Sequence, residues 1–136
     1  MHNNELLEIL QRIPAFHQID PVYLEWMIGQ GELTELSPGD YLFRKGDPVD
    51  RMHILVRGNV QLKVLQGRQL KDMQLIEQGD ITGILPYSRT REAGGFGVAV
   101  TPTIIFSLHK AHFQEMEQRS HELVQSLVAV MTYPGP

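Results

Sequence analysis

The chain has no cysteine among its 136 residues, so a disulfide framework and a thiolate metal site are both excluded, and the composition suits a reducing compartment. Long apolar runs are missing as well. Nothing approaches the roughly 18 consecutive residues of a membrane-spanning helix. The amino-terminal MHNNELLEIL carries acids and amides where a secretory signal has basic residues. A soluble, cytoplasmic chain without membrane association is expected. Basic side chains are outnumbered, 12 Lys and Arg against 16 Asp and Glu, for a formal charge of −4. That balance disfavours broad docking on nucleic acid, whose phosphates demand a surplus of cations. Signatures of catalysis are absent too: there is no Gly-x-Ser-x-Gly elbow, no Gly-Lys-Ser/Thr phosphate loop and no pair of carboxylates in an apolar frame. Of the six histidines only His109 and His112 are close in sequence, with no third ligand beside them. His53 stands alone, whereas a β-roll metal enzyme needs several inward-pointing His and Glu side chains. The chain is read as neither an enzyme nor a metal protein.

What is present is a sequence 42% hydrophobic, long enough to bury a core unaided, and read as one domain over 1–136. Leu6, Ile9, Leu10 and Ile13 form a helical stripe over 5–13 that Pro14 stops. Phe16 and Ile19 follow as core anchors. Asp20-Pro21 starts a second helix, with Asp as N-cap and Pro in the first turn. Leu24, Met27 and Ile28 form its apolar side, Trp26 is a packing residue, and Gly29 and Gly31 end it.

From Leu33 the period becomes two. Turn signals recur at Ser37-Pro38-Gly39-Asp40, Lys45-Gly46-Asp47-Pro48, Arg57-Gly58-Asn59, Gln66-Gly67-Arg68 and Gln78-Gly79-Asp80. Short strands are predicted at 41–43, 52–56, 60–65, 70–76 and 103–108. Ser120 caps a last helix bearing Leu123, Val124, Leu127, Val128, Val130 and Met131, an apolar face wide enough to touch a second surface. The expected fold is α+β: an antiparallel, jelly-roll-like β-roll of about eight strands over 33–109, with helices over 5–31 before it and over 110–131 after it.

One stretch departs from this pattern. Residues 79–100, GDITGILPYSRTREAGGFGVAV, carry glycines at 79, 83, 94, 95 and 97, and a helix is cut by Leu85-Pro86 and by Gly94-Gly95. Tyr87 and Ser88 offer hydroxyls, and Arg89 and Arg91 permanent positive charges. Gly94, Gly95 and Gly97 allow backbone N–H groups to converge on an anion. The set suits a phosphate or carboxylate. A long surface connection with solvated charges is the other reading of the same residues.

The run LSPGDYLFRKGDPVDRMHILVRGNVQLKV, residues 36–64, resembles the front half of a cyclic-nucleotide-binding domain of the catabolite-activator type. The Pro-Gly turn, the Gly-Asp turn and the later Gly before a strand stand at that family's spacings. The resemblance implies a β-roll with helices at both ends and a ligand cassette between two late strands, the place occupied by 79–100. In the family that cassette reads roughly Phe-Gly-Glu-Leu-Ala-Leu, a short loop, then Arg-Ala-x-Val. Amides of a short helix and the arginine hold the cyclic phosphate, and the glutamate accepts from the ribose 2′-hydroxyl.

Laid on this chain, Gly83 and Leu85 match, but Ile84 fills the glutamate position. The arginine position falls near Gly94 when the strand valine is set on Val98, and a small shift brings Arg91 or Arg89 to the phosphate. Isoleucine accepts no hydrogen bond, so affinity for cAMP or cGMP is expected to be weak or atypical unless another residue replaces the contact. A cassette helix must begin at or after Pro86, with Pro at its first position. The candidate ligand-binding residues are Gly83, Ile84, Leu85, Tyr87, Ser88, Arg89, Arg91, Gly94, Gly95 and Val98, for a small anionic ligand and no other cofactor.

The Leu-Pro-Tyr-Ser-Arg motif resembles a divergent subgroup of sensor and signalling proteins, which implies an effector partner such as a histidine kinase domain. Regulators of the family append a DNA-binding domain, and this chain stops at Pro136, so direct contact with nucleic acid is not expected of these residues. Relatives dimerise through a long C-terminal helix. The short one here implies a monomer or weak homodimer. The alternative reading is a degenerate, non-binding domain that serves as a docking module.

Overall fold

The structure, a computed structural model, describes residues 1–89 and 91–130. Met131 and residues 133–136, expected to finish and stop the last helix, lie outside the described residues. Helix α1 (Asn3–Gln11) buries Leu6, Ile9 and Leu10. It sits two residues earlier than the expected 5–13. Pro14 opens a 3-10 turn (Pro14–Phe16) and holds Ile13 extended, with ψ 120°, as the residue before a proline is held. Ile13 is buried outside the helix all the same.

Helix α2 (Pro21–Gln30) starts as predicted, the Asp20 carboxylate accepting from the Val22 amide at 3.0 Å with Pro21 in the first turn. Gly29 lies inside the helix and only Gly31 stops it, correcting the expectation that both do. Gly31 is where β8 passes: a Cβ there would stand 2.3 Å from the Phe106 ring.

The strands are β1 (Glu32–Leu36), β2 (Tyr41–Phe43), β3 (Arg51–Arg57), β4 (Val60–Gln66), β5 (Gln69–Ile76), β6 (Ile81–Gly83), β7 (Phe96–Ala99) and β8 (Thr103–His109). They form two antiparallel four-stranded sheets, ordered β1-β8-β3-β6 and β2-β7-β4-β5. This is the α+β roll the sequence predicts, with helices at both ends.

Alternation along β3 and β8 sorts side chains into two cores. Met52, Ile54, Val56, Phe106 and Leu108 join the helices in the larger one. Leu55 and Ile105 point the other way, into a smaller core against Val60, Leu62 and Ile76 of the second sheet. The layers are therefore helices, first sheet, second sheet, with the first sheet covered on both faces.

After β8 a 3-10 turn (Lys110–His112) leads to α3 (Phe113–Arg119) and α4 (His121–Val130). Ser120 accepts from the Leu123 amide at 3.1 Å, as a cap should. Leu123, Val124 and Leu127 are buried while Val128 is exposed. Trp26 packs partly buried against the larger core, as expected, with the Arg119 guanidinium 5.0 Å above its ring. Among the described residues no helix is long and apolar enough to cross a membrane.

Two substitutions on α2 separate capping from packing. Asp20→Ala should cost about 1 kcal/mol, the value of a lost N-cap, and Leu24→Ala about 2–5 kcal/mol, the value of an emptied core site. Urea denaturation measures both, and equal costs would contradict the layer assignment.

Candidate functional site

The loop between β6 and β7 is held at both ends. At the front, Met52 pairs with Gly83 across β3 and β6, and the Ile84 amide donates to the Arg51 carbonyl at 3.0 Å. Gly83 has φ +90°, and a Cβ there would lie 2.3 Å from the Arg51 carbonyl oxygen. Both facts require glycine. Ile84 and Leu85 are buried, so the residue at the cassette's glutamate position is a packed hydrophobe.

Among the described residues of the loop no helix follows, and this corrects the cassette helix expected at Pro86. Instead Ser88 donates to the Leu85 carbonyl at 3.1 Å, closing a tight turn with Pro86 second and Tyr87 third. Tyr87 has φ +73° and is the one non-glycine residue with positive φ among those described. Pro86 followed by a left-handed residue is the type II arrangement, which normally places glycine where Tyr87 stands. The backbone is strained there.

The back half is pinned to the turn before β3. Val49 donates to the Arg91 carbonyl, Ala93 to the Asp47 carbonyl and Gly46 to the Ala93 carbonyl, each at 2.9 Å. The Ala93 amide is thus spent on the protein. A Cβ on Gly95 would stand 2.4 Å from the Lys63 carbonyl oxygen, and one on Gly97 2.8 Å from the Phe43 ring. Close packing accounts for both glycines. Gly94 alone of the three is open. Val98 pairs with Gln61 and Tyr41, on the face of the second sheet turned away from the inter-sheet core.

What projects from the loop is its middle. Tyr87, Ser88, Arg89 and Arg91 are exposed, and neither Arg89 nor Arg91 has an ion-pair partner among the described residues. The Tyr87 hydroxyl donates to Glu117 Oε2 of α3 at 2.8 Å, and Glu117 Oε1 accepts in turn from His121 Nδ1 of α4. The His121 bond, then the Tyr87 bond, hold the Glu117 carboxyl below its ordinary range, while the bond to Glu117 raises the Tyr87 phenol. One carboxylate therefore joins the loop to both C-terminal helices. Sequence reading missed Glu117 and His121 because their partner lies 30 positions away from Glu117.

Sequence reading also set His53 aside. It lies on the inner face of the first sheet, opposite Thr82 on β6 and Ser107 on β8, with Glu32 beyond Ser107 on β1. The Nδ1 atom of His53 is 2.7 Å from Ser107 Oγ. Burial first, then the nearby Arg51 charge, lower its pKa to about 4, against a smaller opposing effect of Asp50. At neutral pH this histidine is uncharged. A separate cleft of about 420 Å3 opens between the end of α1, the turn at Gly79 and Val130, and shares no residue with 83–98.

Comparison with known proteins places this geometry. Residues 33–120 match the family model of the cyclic nucleotide-binding domain. A stretch of 61 residues is 33% identical to cyclic nucleotide-gated ion channel 18 of Arabidopsis thaliana, covering 45% of this chain and 9% of the channel. The chain thus spans less than a tenth of that curated relative. The fold superposes on the sensor domain of the transcriptional regulator DNR from Pseudomonas aeruginosa with a TM-score of 0.77 and 22% identity, covering 93% of this chain and 86% of that one. On the regulatory subunit of a cAMP-independent protein kinase A from Trypanosoma brucei the TM-score is 0.80 at 20% identity, over 97% of this chain and 48% of that one.

The part-buried histidine makes stability depend on pH. In the unfolded chain His53 binds its proton near the ordinary value of 6.5, in the folded chain only near 4. Stability from this group is full above pH 6.5 and is lost as pH falls toward 4. The whole shift corresponds to roughly 3 kcal/mol. Urea titrations should show wild type losing more stability than His53→Gln over that window, and parallel losses would place the imidazole in solvent.

Proposed function

Because the chain belongs to the cyclic nucleotide-binding domain family, we propose that it is a ligand-sensing regulatory domain, binding a small anionic ligand, a nucleotide or another phosphorylated molecule, weakly or atypically. Arg89 and Arg91 supply the charge for the anion, and Tyr87 and Ser88 add hydroxyls beside it. Ile84 in the glutamate position withholds the sugar contact, so cAMP and cGMP are ligands of reduced affinity in this reading. The fold neighbour from Trypanosoma brucei, a regulatory subunit of a cAMP-independent kinase, is consistent with a domain of this shape working without strong cAMP binding.

The observation that carries the reading is the hydrogen-bonded chain Tyr87–Glu117–His121. A ligand drawing on the Arg89 and Arg91 side chains pulls the turn that holds Tyr87. The turn is strained at Tyr87 and restrained by Glu117, so it has two accessible arrangements that a ligand can bias. Moving Tyr87 releases or reorients Glu117, and through it α3 and α4. The exposed side of α4 at Val128 then meets an effector, such as a histidine kinase domain, differently in the two states. The domain works as a monomer or weak homodimer in the cytoplasm.

Thermal denaturation with saturating cAMP, cGMP, AMP, GMP and ribose 5-phosphate tests the receptor reading. A ligand at 100 times its Kd stabilises by about 2.7 kcal/mol, a rise of several degrees in Tm. Arg89→Ala or Arg91→Ala should abolish the rise. If none of these compounds moves Tm, the domain is instead a docking module. Tyr87→Phe tests the coupling: it should weaken ligand binding only by the loss of one hydroxyl contact, about tenfold or less, but remove ligand-induced shifts of α3 and α4 amides in NMR spectra. Unchanged helix shifts in that variant would disprove the link.

A further inference from the structure

The inner face of the first sheet is apolar at one end and polar at the other. Leu55 and Ile105 belong to the inter-sheet core. Two residues along, on the same face by strand alternation, stand His53 and Ser107. With Thr82 and Glu32 they make one cross-strand row, Glu32–Ser107–His53–Thr82, each paired with the next. The row ends at Thr82, immediately before the loop, and a Cβ on Gly83 would come within 3.0 Å of the His53 ring.

Polar groups in this position are costly when unpaired. Thr82 is only 4% exposed and Ser107 6%. Ser107 Oγ meets His53 Nδ1. It has no other partner among the described residues, so its proton goes to Nδ1 and the neutral imidazole carries its own on Nε2. That N–H and the Thr82 hydroxyl have no partner among the described residues, yet neither atom is fully enclosed. Each therefore keeps a little solvent-accessible area. Together they present one donor beside a group that both donates and accepts. Charged neighbours face one another at the rim instead: Arg51 lies 3.1 Å from Asp50 and 3.8 Å from Glu32, and His109 lies 3.7 Å from Asp50.

We propose that His53 Nε2 and Thr82 Oγ1 form a subsite for the uncharged heterocyclic base of a nucleotide ligand, reading a base edge that carries an acceptor next to a donor. The proposal rests on the receptor reading above and adds a base contact distinct from the sugar contact that Ile84 cannot make. The division of labour follows from charge. The exposed guanidinium groups of Arg89 and Arg91 attract the anionic end, while an uncharged donor in an enclosed setting suits a neutral one. The apolar wall of Leu55 and Ile105 stands behind the polar row.

Isothermal titration of the intact chain tests this with cAMP, cGMP and ribose 5-phosphate, the last having a sugar and a phosphate but no base. His53→Phe and Thr82→Val should each weaken cAMP or cGMP by about tenfold, the size of one neutral hydrogen bond, and leave ribose 5-phosphate unchanged. His53→Gln, which keeps an N–H donor, should recover much of the loss. Arg91→Ala should weaken all three ligands. Unchanged cyclic-nucleotide affinity in His53→Phe and Thr82→Val, or an equal loss for ribose 5-phosphate, overturns the subsite while leaving the receptor reading intact. If no compound binds wild type, both fall together. Nitrogen-15 histidine spectra of wild type decide the matter without any variant. The Nε2 resonance of His53 should move when cAMP or cGMP is added and not with ribose 5-phosphate, and a stationary resonance refutes the contact.

Discussion

The first sheet is covered on both faces, and the rest of the structure depends on that constraint. With helices on one side and the second sheet on the other, the middle of β3 and β8 has no solvent face, so the residues there must fit one of two interiors. Met52, Ile54 and Val56 go to the helices, Leu55 to the second sheet. A slip of one residue in register would exchange these sets and put His53 among the helices. The cost of such an exchange, several buried apolar side chains and one buried imidazole, holds the register. His53 and Ser107 are directly paired for this reason. Two polar interruptions, each unfavourable alone in an apolar strand, satisfy one another.

The same economy shapes the loop between β6 and β7. Its glycines look like an anion cradle when taken as composition, but three of them have packing partners: Gly83 against the Arg51 carbonyl, Gly95 against that of Lys63 and Gly97 against the Phe43 ring. Residues 91–93 are paired with the turn at 46–49. Of the backbone amides that a cassette helix would aim at a phosphate, those of Ile84, Ser88 and Ala93 are committed to the protein, and Pro86 has none. Charge for an anion then has to come from side chains, and Arg89 and Arg91 are both exposed. Tyr87, forced into a left-handed conformation by the turn, is also the residue that reaches α3. Strain and linkage meet in one residue, and the proposed coupling of the loop to the helices rests on that residue.

Much of the fold was legible in the sequence because short-range physics governs it. The Asp20-Pro21 start, the Ser120 cap and the Gly turns each depend on neighbours within a few positions, and each holds in the structure. The errors were local as well: α1 ends early because Pro14 constrains Ile13, and Gly29 continues α2 because tertiary burial outweighs its low helix propensity. The candidate site was legible only in part. Arg89, Arg91 and Tyr87 stood out as unusual residues in an unusual stretch. The roles of Gly95 and Gly97 did not, since the Lys63 carbonyl and the Phe43 ring that require them lie more than 30 and 50 positions away.

By itself, then, the order of residues determined the α+β roll, most of its helices, turns and longer strands but not β1, β6 or β7, and the departure of Ile84 from a glutamate. Tertiary structure decided what the loop is attached to and which polar groups share the interior: Tyr87 with Glu117 and His121, and His53 with Ser107 and Thr82. The reason is range. Periodicity and capping act over a few residues and leave a trace in composition. A hydrogen bond between residues 30 or 54 positions apart exists only once sheet register and helix packing have brought them together.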